Sequence, residues 1–493
     1  MAKIHYNMSM VFVGDFIYLI SSYIFLITIS NLSNAEILGT YGLIISLVAI
    51  LRILSNFDID VGIKKNFGRY VAENKLQEIK HLSTSSIIFS VLCSIIILII
   101  TLNPIINLQM VFGIGDEFIF IIAAILIGNS IQSLIRSSLT SYLKSKPVMI
   151  ATISGGIIRF PILALFYYFS TISESSIIIS YTSYFIFISS FLIISFFILF
   201  KKIPGKWITN FSLDVKLLLK DSLPRWIPGI IDTMGSRLSV LLVFSTTGGT
   251  ETGYFYIPFA IMTAIFLLSN SITQISFPVL SGLSNTIQQK EFLEKSMKIA
   301  FLFTMPVTII FFVYSDIVLG IFGSEYLASK EILSILLISI PFIIFNETIY
   351  YWMYAKGEFK NVLFLGLSSN IPRMVLYFYL IPQEGGFGAS IAYLIGTIVQ
   401  FGFTIILLKK NHLNLSYNKL FLINIIPFFI GVIIYFMNID LIGIPILIII
   451  TFICYFKIKL ILEDDIESIL NIFLLNENRK NEIIVILKKI KLL

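Results

Sequence analysis

The chain has 493 residues, of which 57% are hydrophobic and 13% charged, with a formal net charge of +7 and a mean hydropathy of +0.94. Soluble domains average about 45–50% apolar and about 25% charged residues, and too little polar surface remains here to cover a water-soluble core. A soluble enzyme is excluded, a nucleic-acid module is excluded because the cations sit in short connectors rather than on one soluble domain, and two cysteines, Cys93 and Cys454, make no disulfide scaffold.

A membrane-crossing helix needs about 20 mostly apolar residues. In chain order such runs fall at 9–30, 37–57, 83–103, 117–139, 148–170 and 177–200 in the first half. The second half offers 223–245, 253–277, 299–318, 331–354, 361–381 and 387–408, and two more follow at 420–437 and 441–457. The fold class expected is therefore an all-α polytopic membrane protein of fourteen transmembrane helices. The first run is too long for a signal-peptide core and carries Asp15, so it is expected to stay in the protein.

Loop charge gives the orientation. Alternate loops hold Lys64, Lys65 and Arg69, then Lys144 and Lys146, Lys201, Lys202 and Lys206, Lys356 and Lys360, and Lys409 and Lys410, while the opposite set holds Lys330 as its cation. By the positive-inside rule both termini face the cytoplasm and the protein lies in the cell membrane. Residues 458–493 alternate apolar and charged side chains, as a cytoplasmic amphipathic tail would.

The chain also repeats itself. Gly39 and Gly253 are 214 residues apart, as are Arg159 and Arg373, each arginine beside a proline, Pro161 or Pro372. Phe112-Gly113 returns as Phe322-Gly323 and Tyr142-Leu-Lys144 as Tyr354-Ala-Lys356 at offsets of 210 and 212. A six-plus-six duplication follows, and an even number of spans makes the repeat parallel. The domains expected are an N-terminal lobe at 1–205, a C-terminal lobe at 206–410, two further helices within 411–457, and the tail.

The stretches AEILGTYGLIIS (35–46), DIDVGIKKNFGRYVAENK (58–75), FPVLSGL (277–283), IFGSEYLASKEILSILLISIP (321–341) and GFGASIAYLIGT (from Gly386) carry a family resemblance. Their order and spacing resemble the polysaccharide-unit flippases (Wzx-type) of the multidrug/oligosaccharidyl-lipid/polysaccharide exporter superfamily. The resemblance implies a two-lobed transporter that flips a polyprenyl-linked sugar unit from the cytoplasmic to the outer leaflet by alternating access. Its partners would be that lipid-linked sugar, the bilayer and a coupling ion, H+ or Na+. Two rivals are weighed: an ion-coupled drug/cation antiporter of the same superfamily, which would use acidic cavity residues such as Asp15, and an oligosaccharide polymerase or ligase, which needs a larger outer loop than any here.

No enzyme or cofactor motif competes. His5, His81 and His412 are isolated in cytoplasmic segments, so no metal triad and no Ser/His/Asp arrangement is expected. No Walker-type phosphate loop is present. The residues that stand out are charges at membrane depth, because an arginine at mid-bilayer costs at least about 2.5 kcal/mol and normally faces a wet cavity or a partner. Arg159, Arg237 and Arg373 each lie deep in their spans and suit a lipid phosphate or diphosphate, since the guanidinium fork matches phosphate oxygens. Asp15, Asp232 and Glu347 are the carboxylates available for the cavity or for coupling. Arg52 and Arg136 are expected to snorkel, Asp58 and Asp60 to cap the second span, and Tyr350, Tyr351, Trp352 and Tyr354 to form an aromatic belt. Pro224, Pro228, Pro258, Pro306 and Pro341 should bend their spans.

Overall fold

The computed structural model describes residues 2–461 apart from 74, 102–116, 170–171, 283–284, 412, 414 and 459. The amphipathic segment expected beyond residue 461, His412 and the Phe112-Gly113 repeat element lie outside the described residues. Among the described residues every regular element is helical. The first half holds α1 (Ala2–Leu32), α2 (Ala35–Asn56), α3 (Ile59–Ala72), α4 (Leu76–Thr101), α5 (Glu117–Ser141), α6 (Lys146–Tyr168) and α7 (Glu174–Phe200). The second holds α8 (Phe211–Thr247), α9 (Gly249–Gly282), α10 (Thr286–Val313), α11 (Ser315–Gly320), a 3-10 turn at Ser324–Ser329, α12 (Lys330–Ala355), α13 (Phe359–Lys410), α14 (Tyr417–Phe436) and α15 (Gly443–Lys457).

Twelve of these helices are long and apolar enough to cross a membrane. Local chemistry sets where several begin. Asn34 accepts from the Ile37 amide to start α2, Asn285 accepts from that of Ile287 at α10, and Ser173 and Ser176 form a reciprocal capping box at α7. α13 covers 52 residues but is two helices joined at Gly385, whose φ of 52° and ψ of −130° suit a residue without Cβ, and the two fold back on each other, so that Arg373 before the break reaches Thr397 beyond it. That break falls between the runs expected at 361–381 and 387–408. α15, at 15 residues, is apolar but shorter than any of those twelve.

Two expectations are corrected. Asp58 and Asp60 do not cap the second span: α2 ends at Asn56, Phe57 and Asp58 take positive φ, and the Val61 amide donates to the Asp58 carbonyl as α3 begins. The helix expected at 223–245 begins twelve residues earlier, at Phe211, because Asp221 and Ser222 dock that stretch on α3, Asp221 by Lys65 at 2.5 Å and Asn66 at 2.8 Å, Ser222 by the Gly62 amide at 3.2 Å.

The described chain packs as two units. One comprises residues up to Tyr256 with Leu376–Ala389, the other Ile257–Val375 with the described residues from Ser390 on. In the first, two glycines 214 residues apart meet: a Cβ on Gly39 would strike the Gly249 carbonyl, and one on Gly253 the Ala35 carbonyl. Ala35 and Gly39 on α2 face Gly249 and Gly253 on α9, small residues four apart that let two helix backbones touch, the commonest device for helix association where lipid is as apolar as leucine. In the second unit α10, α14 and α15 enclose Ile309, Ile310, Tyr314, Ile434 and Leu447, and the Tyr314 hydroxyl reaches the Ile439 and Asp440 carbonyls at 3.0 Å.

Candidate substrate site

Arg159 sits on α6 of the first unit and is sealed, with 1% of its surface exposed. Nε donates to the Gly156 carbonyl at 3.0 Å, and one terminal nitrogen donates to Ser21 at 3.1 Å and Ser22 at 3.0 Å, both on α1. The rings of Tyr18, Phe25, Phe160 and Tyr184 surround the guanidinium at 4.9–6.0 Å. Gly155 and Gly156 admit these neighbours, since a Cβ on either would crowd Tyr184 or Ser21.

Arg373 occupies the corresponding place in the second unit. It donates to Thr397 at 2.7 Å and Asn370 at 3.3 Å, lies 3.9 Å over the Tyr393 ring, and keeps a buried Nε without a partner. Gly396 makes the space its side chain fills. In each unit, then, a buried arginine is covered by a tyrosine from the following span, and among the described residues no carboxylate lies within ion-pair distance of either one. Cation–π and neutral hydrogen bonds offset part of the desolvation cost but leave the positive charge uncompensated.

Arg237 is different: half-buried on α8, it lies within electrostatic range of Tyr23, Tyr181 and Tyr256. Asp232, on the same helix, is exposed. Glu347 is half-buried on α12 of the second unit. The structure thus brings Arg159 and Arg237 into one unit with Asp15 and Asp232, and Arg373 with Glu347 into the other.

Several partners were not legible in the sequence. Arg136 does not snorkel; it donates to Asp15 at 2.6 Å, joining α5 to α1 across 121 positions. His81 is not isolated: its ring lies 2.9 Å from Asp214 and 2.6 Å from Glu78, and Ser85 donates to the same Asp214 at 2.7 Å. Beside it the buried Lys80 donates to the Ile203 and Gly205 carbonyls and lies 4.3 Å over the Trp207 ring, pinning the segment that precedes α8. Trp352, expected in a belt, is buried and donates to Gln289. Sequence reasoning also missed a group of tyrosines in the first unit. Tyr18 stacks on Tyr184 at 4.7 Å, and Tyr41 meets Tyr181 at 5.3 Å and Tyr256 at 6.0 Å. Tyr41, Tyr181 and Tyr256 fall within about one turn of the start of their expected spans, where a tyrosine reads as an ordinary interfacial aromatic, so the sequence carried no signal that set this group apart.

Comparison with known proteins agrees with this architecture. A putative O-antigen transporter of Shigella flexneri is 27% identical over 161 residues, 32% of this chain and 38% of that protein. The lipid II flippase MurJ in its inward closed conformation superposes with a TM-score of 0.71 at 16% identity, covering 92% of this chain and 99% of its own. An inward-facing multidrug resistance MATE family transporter of the MOP superfamily gives a TM-score of 0.62 at 15% identity, covering 82% of this chain and 94% of its own. These two likenesses show a shared helical fold. The polysaccharide biosynthesis protein family matches residues 32–331, well over half the chain, and this chain belongs to that family.

Proposed function

We propose that this protein flips a polyprenyl-phosphate- or diphosphate-linked oligosaccharide unit from the cytoplasmic to the outer leaflet by alternating access of two repeat-related lobes. The observation that carries the reading is uncompensated positive charge at membrane depth, in the buried Arg159 and Arg373. An anion is the missing counter-charge, and a lipid-linked phosphate is the anion that belongs in a bilayer. Arg237, half-buried, makes the direct contact by its guanidinium fork. Arg159 and Arg373 act from behind their tyrosines by holding a positive potential that low dielectric leaves unscreened.

Fourteen spans fit this reading, because the 52 residues of α13 exceed twice a hydrocarbon thickness of about 30 Å and break at Gly385. With both termini in the cytoplasm the basic loops lie inside. Asp232 and Glu347 remain the carboxylates for a coupling ion, H+ or Na+. Asp15 is already held by Arg136, which weakens the drug/cation antiporter reading.

Cells lacking the protein should accumulate the lipid-linked unit at the cytoplasmic face, and the wild-type chain should clear it. Arg237→Ala, expressed and inserted at wild-type level, should fail to clear it and Arg237→Lys should clear it in part, since lysine lacks the planar fork. Normal surface polysaccharide in cells without the protein would overturn the proposal.

A further inference from the structure

The tyrosines of the first unit come from separate helices: Tyr18 and Tyr23 from α1, Tyr41 from α2, Tyr181 and Tyr184 from α7, and Tyr256 from α9. Tyr41, Tyr184 and Tyr256 are buried, while Tyr18, Tyr23 and Tyr181 keep part of their surface open. Tyrosine hydroxyls in such surroundings normally find a partner. Only Tyr184 among the ring-stacked members has one, the Gln132 amide at 2.9 Å. The hydroxyls of Tyr18, Tyr41, Tyr181 and Tyr256 have none among the described residues, and none of them is among the fully sealed, partnerless polar atoms.

Aromatic faces and unpartnered hydroxyls gathered in one cluster select among ligand classes. A prenyl chain would strip water from the phenolic oxygens and return no hydrogen bond. A cationic ligand would be drawn to the rings but repelled by Arg159 and Arg237 beside them. A sugar ring has a C–H face that lies flat on an aromatic ring and an edge of hydroxyls that exchange hydrogen bonds with phenols. In a lipid-linked glycan the first sugar is bonded directly to the phosphate, so a platform next to Arg237 is where that sugar must lie.

We infer that the cluster around Tyr181 is a carbohydrate platform that stacks the lipid-proximal sugar of the cargo; this rests on the reading that the cargo is a lipid-linked glycan. The partly open Tyr181 and Tyr18 rings carry the stacking, and the hydroxyls of Tyr41 and Tyr256 bond the sugar edge. Recognition at this cluster is tolerant of sugar identity, because every pyranose presents a C–H face, and it discriminates glycosylated from bare carrier lipid.

The test measures binding of two probes to the purified full-length protein: a short-chain polyprenyl diphosphate, and the same lipid bearing one hexose or N-acetylhexosamine. Wild type should bind the glycosylated probe on the order of tenfold more tightly. Tyr181→Leu, which keeps apolar volume without an aromatic face, should bring the ratio near one while leaving affinity for the bare lipid unchanged. Tyr181→Phe, which keeps the ring, should retain most of the preference and stands in if the leucine variant does not fold. Equal wild-type affinity for the two probes, an undiminished preference in Tyr181→Leu, or an equal loss for both probes in that variant would overturn the platform and leave the cargo reading intact. Failure of wild type to bind either probe would overturn the cargo reading, and the platform with it.

Discussion

Substituting Gly39 by alanine tests the helix contact on which the first unit is built. The new Cβ would meet the Gly249 carbonyl and the Gly253 amide of α9, backbone atoms that cannot turn aside as a side chain can. Restoring ordinary contact requires α2 and α9 to separate by more than about 1 Å, which loosens every contact along that crossing. Overpacking of this kind costs about 1–3 kcal/mol, and rigid backbone on both sides puts this site at the upper end. For a unit of this size the melting temperature should fall by about 4–10 °C, read by intrinsic fluorescence in detergent. Gly253→Ala should cost as much, because its Cβ meets the Ala35 carbonyl across the same contact. The double variant should cost clearly less than the two together, since helices already parted for one methyl have room for the second. A Gly39→Ala protein with an unchanged melting temperature would refute the close approach, and additive costs would refute the shared interface.

Three further outcomes follow from particular side chains. Asp15 and Arg136 should be coupled: in a double-mutant cycle with Asp15→Asn and Arg136→Gln, the single changes should each lower the melting temperature and the pair should cost at least about 0.5 kcal/mol less than their sum, so that strict additivity would deny the ion pair. Burial, with the neighbouring Asp60 adding to it, raises the Asp58 carboxyl above its ordinary range despite Arg225 and Arg52. The folded state therefore binds that proton more tightly than the unfolded one, and stability should rise as pH falls from neutral through the raised value toward the ordinary one. Asp58→Asn should be more stable than wild type at neutral pH and should lose this dependence; an unaltered pH profile would contradict it. Finally, a cysteine at Glu384 should react with an impermeant reagent added outside intact cells and one at Lys202 should not, the reverse pattern inverting the direction of transport.

Hydrophobic run length is a strong signal, and it made several spans legible to within a few residues, as at α2, α6 and α7, whereas α4 and α8 begin well before their apolar runs. Gly39 and Gly253 stood out in the sequence by their 214-residue spacing, and the structure places both at one helix crossing, a contact that spacing alone does not announce. α3 was not, because its charges read as loop; its helix is fixed by Asp221 and Ser222, about 155 positions away. Distance along the chain hid the side-chain partners in the same way. Nothing local to Arg136 announces Asp15, nothing near His81 announces Asp214, and the depth of Arg159 gave its membrane position but not the serines and rings that close over it. What a single sequence encodes by periodicity was read; what it encodes by tertiary pairing was not.

The most direct test is transport itself. The purified protein, reconstituted into vesicles containing a polyprenyl-diphosphate-linked glycan in both leaflets, should make the inner-leaflet pool accessible to a membrane-impermeant glycan-modifying reagent far faster than in protein-free vesicles. Arg237→Ala should return that rate to the protein-free value. Correctly folded wild-type protein whose vesicles expose the inner pool no faster than protein-free ones would contradict the proposal that this chain flips lipid-linked sugars.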